Sequence, residues 1–93
     1  MSRIIDQRSE IPNAPVYVLA NDRFMSGWGP AEGKINTVIL PCADRHEAQQ
    51  VAAYARSRKE QQRVRIVSDK PRLRPGHLYS LLTRENASAW YPG

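Results

Sequence analysis

Cys42 is the one cysteine of the chain, so no disulfide can form within it, and a reducing compartment is the expected setting. Long apolar runs are missing too: none approaches the roughly 18 residues of a membrane helix. Residues 1–13 hold no apolar stretch of the secretory type, which leaves a cytoplasmic protein without a membrane partner as the expectation. Histidine occurs twice, and with scattered carboxylates and one thiol there is no paired spacing for a metal site. No two acids sit in an apolar setting that would push their pKa values apart, so paired-carboxylate hydrolysis finds no support.

Nucleotide motifs are absent as well. Gly29-Pro-Ala-Glu-Gly33-Lys34-Ile35 has three residues between its glycines where a phosphate loop has four, and Ile35 stands where Ser or Thr would hold magnesium. Gly27, Gly29 and Gly33 are spaced one residue too widely for the dinucleotide fingerprint. Both motifs also need a helix next, and a strand pattern follows. No cofactor is expected, and neither is a small-molecule ligand. Cys42 stands just ahead of a helix start with His46 nearby, but a nucleophile also needs a placed base and an oxyanion site. A small apolar filler at a strand end is the better account of it, and no catalytic residue is expected.

What is present suffices for one domain. The chain has 93 residues, 41% hydrophobic and 25% charged, a globular composition too short for two cores and without the pattern of a repeat array or coiled coil. Residues 1–13 read as a flexible N-terminal arm and 14–93 as a single α+β domain. Val16 to Ala20 is β-branched and aromatic, opened by Pro15 and closed by Asn21-Asp22, and predicts a strand. Residues 34–40 predict a second. Asp44 and Glu47 make a capping box, and Ala48, Val51, Ala52 and Ala55 fall on one stripe, predicting a helix over 44–61 that packs on a sheet. Arg63 to Ser68 alternates as a third strand, residues 69–76 hold two prolines and a glycine, and 77–83 read as a fourth strand. The order is β-β-α-β-β. A βαβ unit places strands 34–40 and 63–68 parallel, and the short link favours an antiparallel partner for 77–83. The expected fold is a mixed four-stranded sheet with the helix on one face.

Charge is the strongest feature. Lys and Arg total 14 against 9 acids, and eleven of the 14 are Arg, whose planar fork pairs with phosphate or carboxylate and stacks on bases. The excess lies in the second half of the chain. Residues 1–54 have net charge −1 and residues 55–93 net +6. Eight cations, Arg56, Arg58, Lys59, Arg63, Arg65, Lys70, Arg72 and Arg74, fall between 56 and 74 against Glu60 and Asp69. They predict a basic ridge able to follow a phosphate backbone, with Tyr54 or Tyr79 near enough to stack on a base. A solvated face is the alternative reading.

The runs Tyr17-Val-Leu-Ala-Asn-Asp-Arg-Phe-Met-Ser-Gly-Trp-Gly29, Ile39-Leu-Pro-Cys42, Arg63-Val-Arg-Ile-Val67, Lys70-Pro-Arg-Leu73 and Leu78-Tyr-Ser80 resemble short phage and prophage proteins of no assigned activity. The likeness spans most of residues 16–83 and brings no catalytic residue. It implies a bacterial cytoplasmic setting and an accessory role during infection. Two functions follow as expectations. One is a non-enzymatic module whose basic ridge binds nucleic acid or a nucleoprotein. The other is an inhibitor of a host protein or defence complex, anchored by Trp28 and rimmed by the arginines on an acidic host surface.

Overall fold

Extended β-branched runs and one capped stripe of small residues account for the elements of the computed structural model, which describes residues 3–5, 7–22, 35–59 and 61–91. In chain order they are β1 (Arg3–Ile5), β2 (Val16–Asp22), β3 (Ile35–Cys42), α1 (Arg45–Ser57), β4 (Gln61–Val67) and β5 (His77–Leu81). Single 3-10 turns occupy Arg8–Glu10 and Ser88–Trp90.

The fold is α+β with one helix and a mixed sheet, as expected, but the sheet has five strands in the order β1-β5-β3-β2-β4. The fifth comes from the segment read as an arm. Arg3–Ile5 pairs antiparallel with β5, Ile5 and Ile11 are buried, and the Tyr17 hydroxyl donates to the Pro12 carbonyl (2.8 Å) while accepting from the Ala14 amide (3.0 Å). An isolated Ile-Ile pair is too short a pattern to announce a strand; only docking on β5 makes it one.

The second correction concerns β5. β2 runs antiparallel to both β3 and β4, so the strands flanking α1 are parallel with β2 between them. β5 pairs parallel with β3, not antiparallel with β4. Residues 68–76 therefore return along the whole sheet and cross β2 and β3. Extended chain spans about 3.3 Å per residue, so nine residues reach far enough. A crossover that reverses direction along the sheet keeps the usual right hand only by passing over the opposite face. There the segment lies, with Leu73 packed among Tyr17, Leu19, Ile39, Tyr79 and Leu81.

The other face belongs to α1. Asp44 accepts from the Glu47 amide at 2.7 Å, and Glu47 returns a bond to the Ala43 amide (2.8 Å), one residue earlier than a simple capping box. Ala48, Val51 and Ala52 are buried against Val16, Val18, Val38 and Leu40, and Ala55, a turn on, is buried too. The helix ends at Ser57 rather than 61, because β4 begins at Gln61. Pro41 is carried within β3 beyond the last β5 partner (Ile39↔Leu81), where its missing N–H breaks no bond to that neighbour. On the helix face Ser80 donates to the Asn36 carboxamide (3.1 Å), both fully buried, and a register slip would leave both unpaired. The tail closes this layer: the Tyr91 hydroxyl lies 2.9 Å from the Pro41 carbonyl and 2.8 Å from that of Leu82.

Two substitutions test this arrangement. Ala52→Glu buries an unpaired charge between helix and sheet and should lower stability by about 3–5 kcal/mol in urea denaturation. Ile11→Ala should cost about 2–5 kcal/mol, as expected of a core isoleucine and not of an undocked arm.

Candidate functional site

Five of the eight predicted cations face one cleft. The recess measures about 890 Å³ and lies between the sheet face away from α1 and the returning segment 68–76. Arg63 and Arg65 of β4 form one wall, and Lys70, Arg72 and Arg74 form the roof. Arg45, at the start of α1, adds a sixth cation. Among the described residues that line it, Asp69 is the one acid. Leu19, Thr37 and Tyr79 make a buried floor, with Asn21 and His77 toward one end.

The roof is held, not merely draped. Arg8 donates from Nε to the Pro71 carbonyl (3.3 Å) and from Nη2 to the Lys70 carbonyl (3.2 Å). At the far end the Arg74 amide donates to the Tyr79 hydroxyl at 3.0 Å, and the chain turns through Gly76 at φ +82° into β5. Because Leu73 points into the core, the alternation of an extended chain turns its neighbours Arg72 and Arg74 away from it, and both are exposed.

The wall carries a distortion. Pairing between β2 and β4 shifts between Leu19↔Arg65 and Asn21↔Gln62, so β4 holds one extra residue there. Arg63 takes it up in the left-handed region at φ 54°, uncommon for a non-glycine residue. Its carbonyl accepts from Arg65 Nη1 (2.8 Å), which fixes the Arg65 guanidinium beside it. Burial lowers the Arg65 pKa from its ordinary value, and the positive charges of Arg63 and Arg74 lower it further. Arginine stays protonated regardless. The cleft therefore holds three mutually repelling guanidiniums from two chain segments.

The remaining predicted residues stand elsewhere. Arg56, Arg58 and Lys59 do not line the cleft; they lie at and just beyond the end of α1, on the other layer. Arg58 packs over the Trp90 ring (4.7 Å to its centroid) and donates to the Tyr54 hydroxyl (3.3 Å), while Tyr54 meets Trp90 edge-on at 5.6 Å. Tyr79, offered as a stacking surface, is floor, 6% exposed. Trp28, the expected anchor, lies outside the described residues. Two lining residues escaped sequence reasoning. Arg45 carried a signal: a cation at a helix N-terminus opposes the helix dipole. His77 carried none beyond its place at the head of a strand.

Cys42 is buried on the helix face, with Sγ 3.4 Å from the Leu40 carbonyl. Burial pushes its pKa from 9.0 to about 11; Arg84 pulls it down and Asp44 raises it by less than burial does. At neutral pH it is a protonated thiol. His46 is exposed and His77 belongs to the opposite face of the sheet. Among the described residues there is no group of three or more His, Cys, Asp or Glu suited to a metal ion, and no helix long and apolar enough to cross a membrane. Neither a protein-family model, nor a curated protein, nor a solved structure matches the chain.

The raised thiol gives stability a pH dependence of known sign. An unfolded chain loses the Cys42 proton at lower pH than the folded one, so rising pH favours unfolding between about 9 and about 11. Below that window the contribution is fully present. Cys42→Ala should flatten this part of the alkaline stability profile, measured as denaturation midpoint against pH.

Proposed function

We propose that the protein is a non-enzymatic nucleic-acid-binding module whose ligand backbone lies in the cleft between β4 and segment 68–76. The observation that carries this reading is the convergence of Arg63, Arg65, Lys70, Arg72, Arg74 and Arg45 on one recess with Asp69 as the acid among its described lining. A solvated face scatters its cations over a convex surface and pairs many of them. Here they line one concavity with a buried floor, and their summed positive potential draws in an anion. Arg supplies bidentate geometry for phosphate oxygens, and a pinned roof loses little freedom on binding.

The roof also fixes what a mutant should do. Reversing Lys70, Arg72 and Arg74 to Glu should weaken oligonucleotide binding by a similar factor for every sequence. The slope of log affinity against log salt should fall by about 0.7–0.9 for each phosphate no longer neutralised. Titrations of single- and double-stranded oligonucleotides at about 50 and about 200 mM salt span the range where such ion pairing weakens steeply. No binding of either at the lower salt overturns the reading.

Arg63 separates function from stability. Glycine adopts φ 54° freely, so Arg63→Gly should keep or raise stability, by up to about 1 kcal/mol, while weakening oligonucleotide binding. A destabilised Arg63→Gly protein would mean that the arginine serves the fold instead.

A further inference from the structure

His77 is the lining residue that the phosphate reading leaves without a task. It begins β5 at the end of the cleft where Arg74 enters, and it is half-buried. Its ring stacks on that of Tyr79, two residues along the same strand face, with centroids 6.1 Å apart and planes 19° from parallel. Tyr79 is in turn fixed: the ring is buried among Ile5, Leu19, Ile39 and Leu81, and its hydroxyl accepts the Arg74 amide. The imidazole therefore has an ordered aromatic neighbour on one side and, half-buried, keeps part of its surface in the cleft. Among the described residues the β1–β5 ladder runs as far as Ile5↔Tyr79, and His77 is opposite Ile35 of β3. Arg74 stands next to it, its carbonyl accepting the His77 amide (3.3 Å), while Thr37, opposite Tyr79, and Asn21, one strand farther, line the same recess across the sheet.

We infer that His77 is a stacking platform for an unpaired nucleobase, so that the ligand of the cleft is single-stranded. This deepens the nucleic-acid reading and rests on it. A duplex keeps its base faces inside its own stack, whereas an unpaired strand can lay one on an aromatic ring while its phosphates meet the cations. The platform and the cations share one recess, and α1, the one helix among the described residues, lies on the far side of the sheet. Entry of that helix into a groove would leave the cationic cleft facing away from the duplex.

The test uses short pyrimidine single strands, the matching duplex, and an abasic strand of equal length. His77→Ala should weaken the single strand on the order of 5- to 100-fold, the range set by removing one base stack. The salt slope should not change, since every phosphate stays neutralised. His77→Phe should restore most of the affinity, and the duplex should respond to neither substitution. Wild-type protein should bind the abasic strand at least about 5-fold more weakly than the normal one, a comparison that needs no variant and stands even where His77→Ala folds poorly. Equal binding of abasic and normal strands, or a clear preference for duplex, overturns the inference while leaving the cationic cleft in place. No binding of any strand at about 50 mM salt overturns both.

Discussion

β4 and β5 point the same way with β2 and β3 between them, and from that one constraint the cationic half of the molecule follows. A chain leaving the end of β4 has to travel the length of the sheet before it can start β5. Since α1 already occupies one face, the return runs over the other. Its course brings Leu73 down onto Tyr17, Leu19, Ile39, Tyr79 and Leu81, which would otherwise lie open to water. Burying those side chains is what holds the segment, each contributing on the order of 1.5–3 kcal/mol when fully covered. The same nine residues carry Lys70, Arg72 and Arg74 above β4, where Arg63 and Arg65 already stand. Closing the second face of the sheet and assembling the cationic recess are thus one event.

The N-terminal segment makes that roof rigid. Ile5 and Ile11 extend the apolar floor beyond β5, and Arg8 reaches the backbone carbonyls of Lys70 and Pro71 from the same stretch. An arginine that commits its guanidinium to carbonyl oxygens contributes position rather than charge recognition. Tyr79 ties down the other end through the Arg74 amide. The cations between are held on a backbone fixed at two points, so binding an anion need not order it.

The sequence was readable where a pattern is local and unreadable where it depends on which strand lies beside which. Asp44, Glu47 and the stripe of small residues specify α1 within one turn of themselves, and its buried face was legible residue by residue. Strand β2 was legible from Pro15 and the β-branched run after it, but Asn21 and Asp22, read as its close, belong to it and are paired on both sides. Partner choice was not. Residues 69–76 looked like a short link because prolines and a glycine suggest a turn. The turn is confined to Pro75 and Gly76, and the residues before it, which form neither helix nor turn, cross the sheet. β1 was invisible for a related reason: three residues carry almost no period, and Ile5 is inside only because β5 is there to pair with. The basic segment was found as composition, but its split into a cleft and a separate group on the helix layer required the topology.

That split also distinguishes cations that serve the fold from those the fold merely tolerates. Arg56 sits in the last turn of α1, where a positive charge complements the helix dipole, and Arg58 packs on Trp90 and Tyr54. Their positions need no ligand to account for them. The cleft cations break local rules together. Arg63 stands in a backbone region that glycine would occupy with less strain, Arg45 opposes the dipole at the start of α1, and Arg65 is partly desolvated beside two like charges. Each departure has an easy remedy: a glycine at 63, an acid at 45, a neutral residue at 65. Three unrelated departures, drawn from the helix and the two parts of a bulged strand, meet in one recess of about 890 Å³. Strain and like-charge crowding concentrated at one place are the departures from local rules on which the proposed reading of the cleft rests. An anion entering the recess would relieve the repulsion that folding creates there, whereas Arg56 and Arg58 are accounted for by the helix end and its aromatic neighbours.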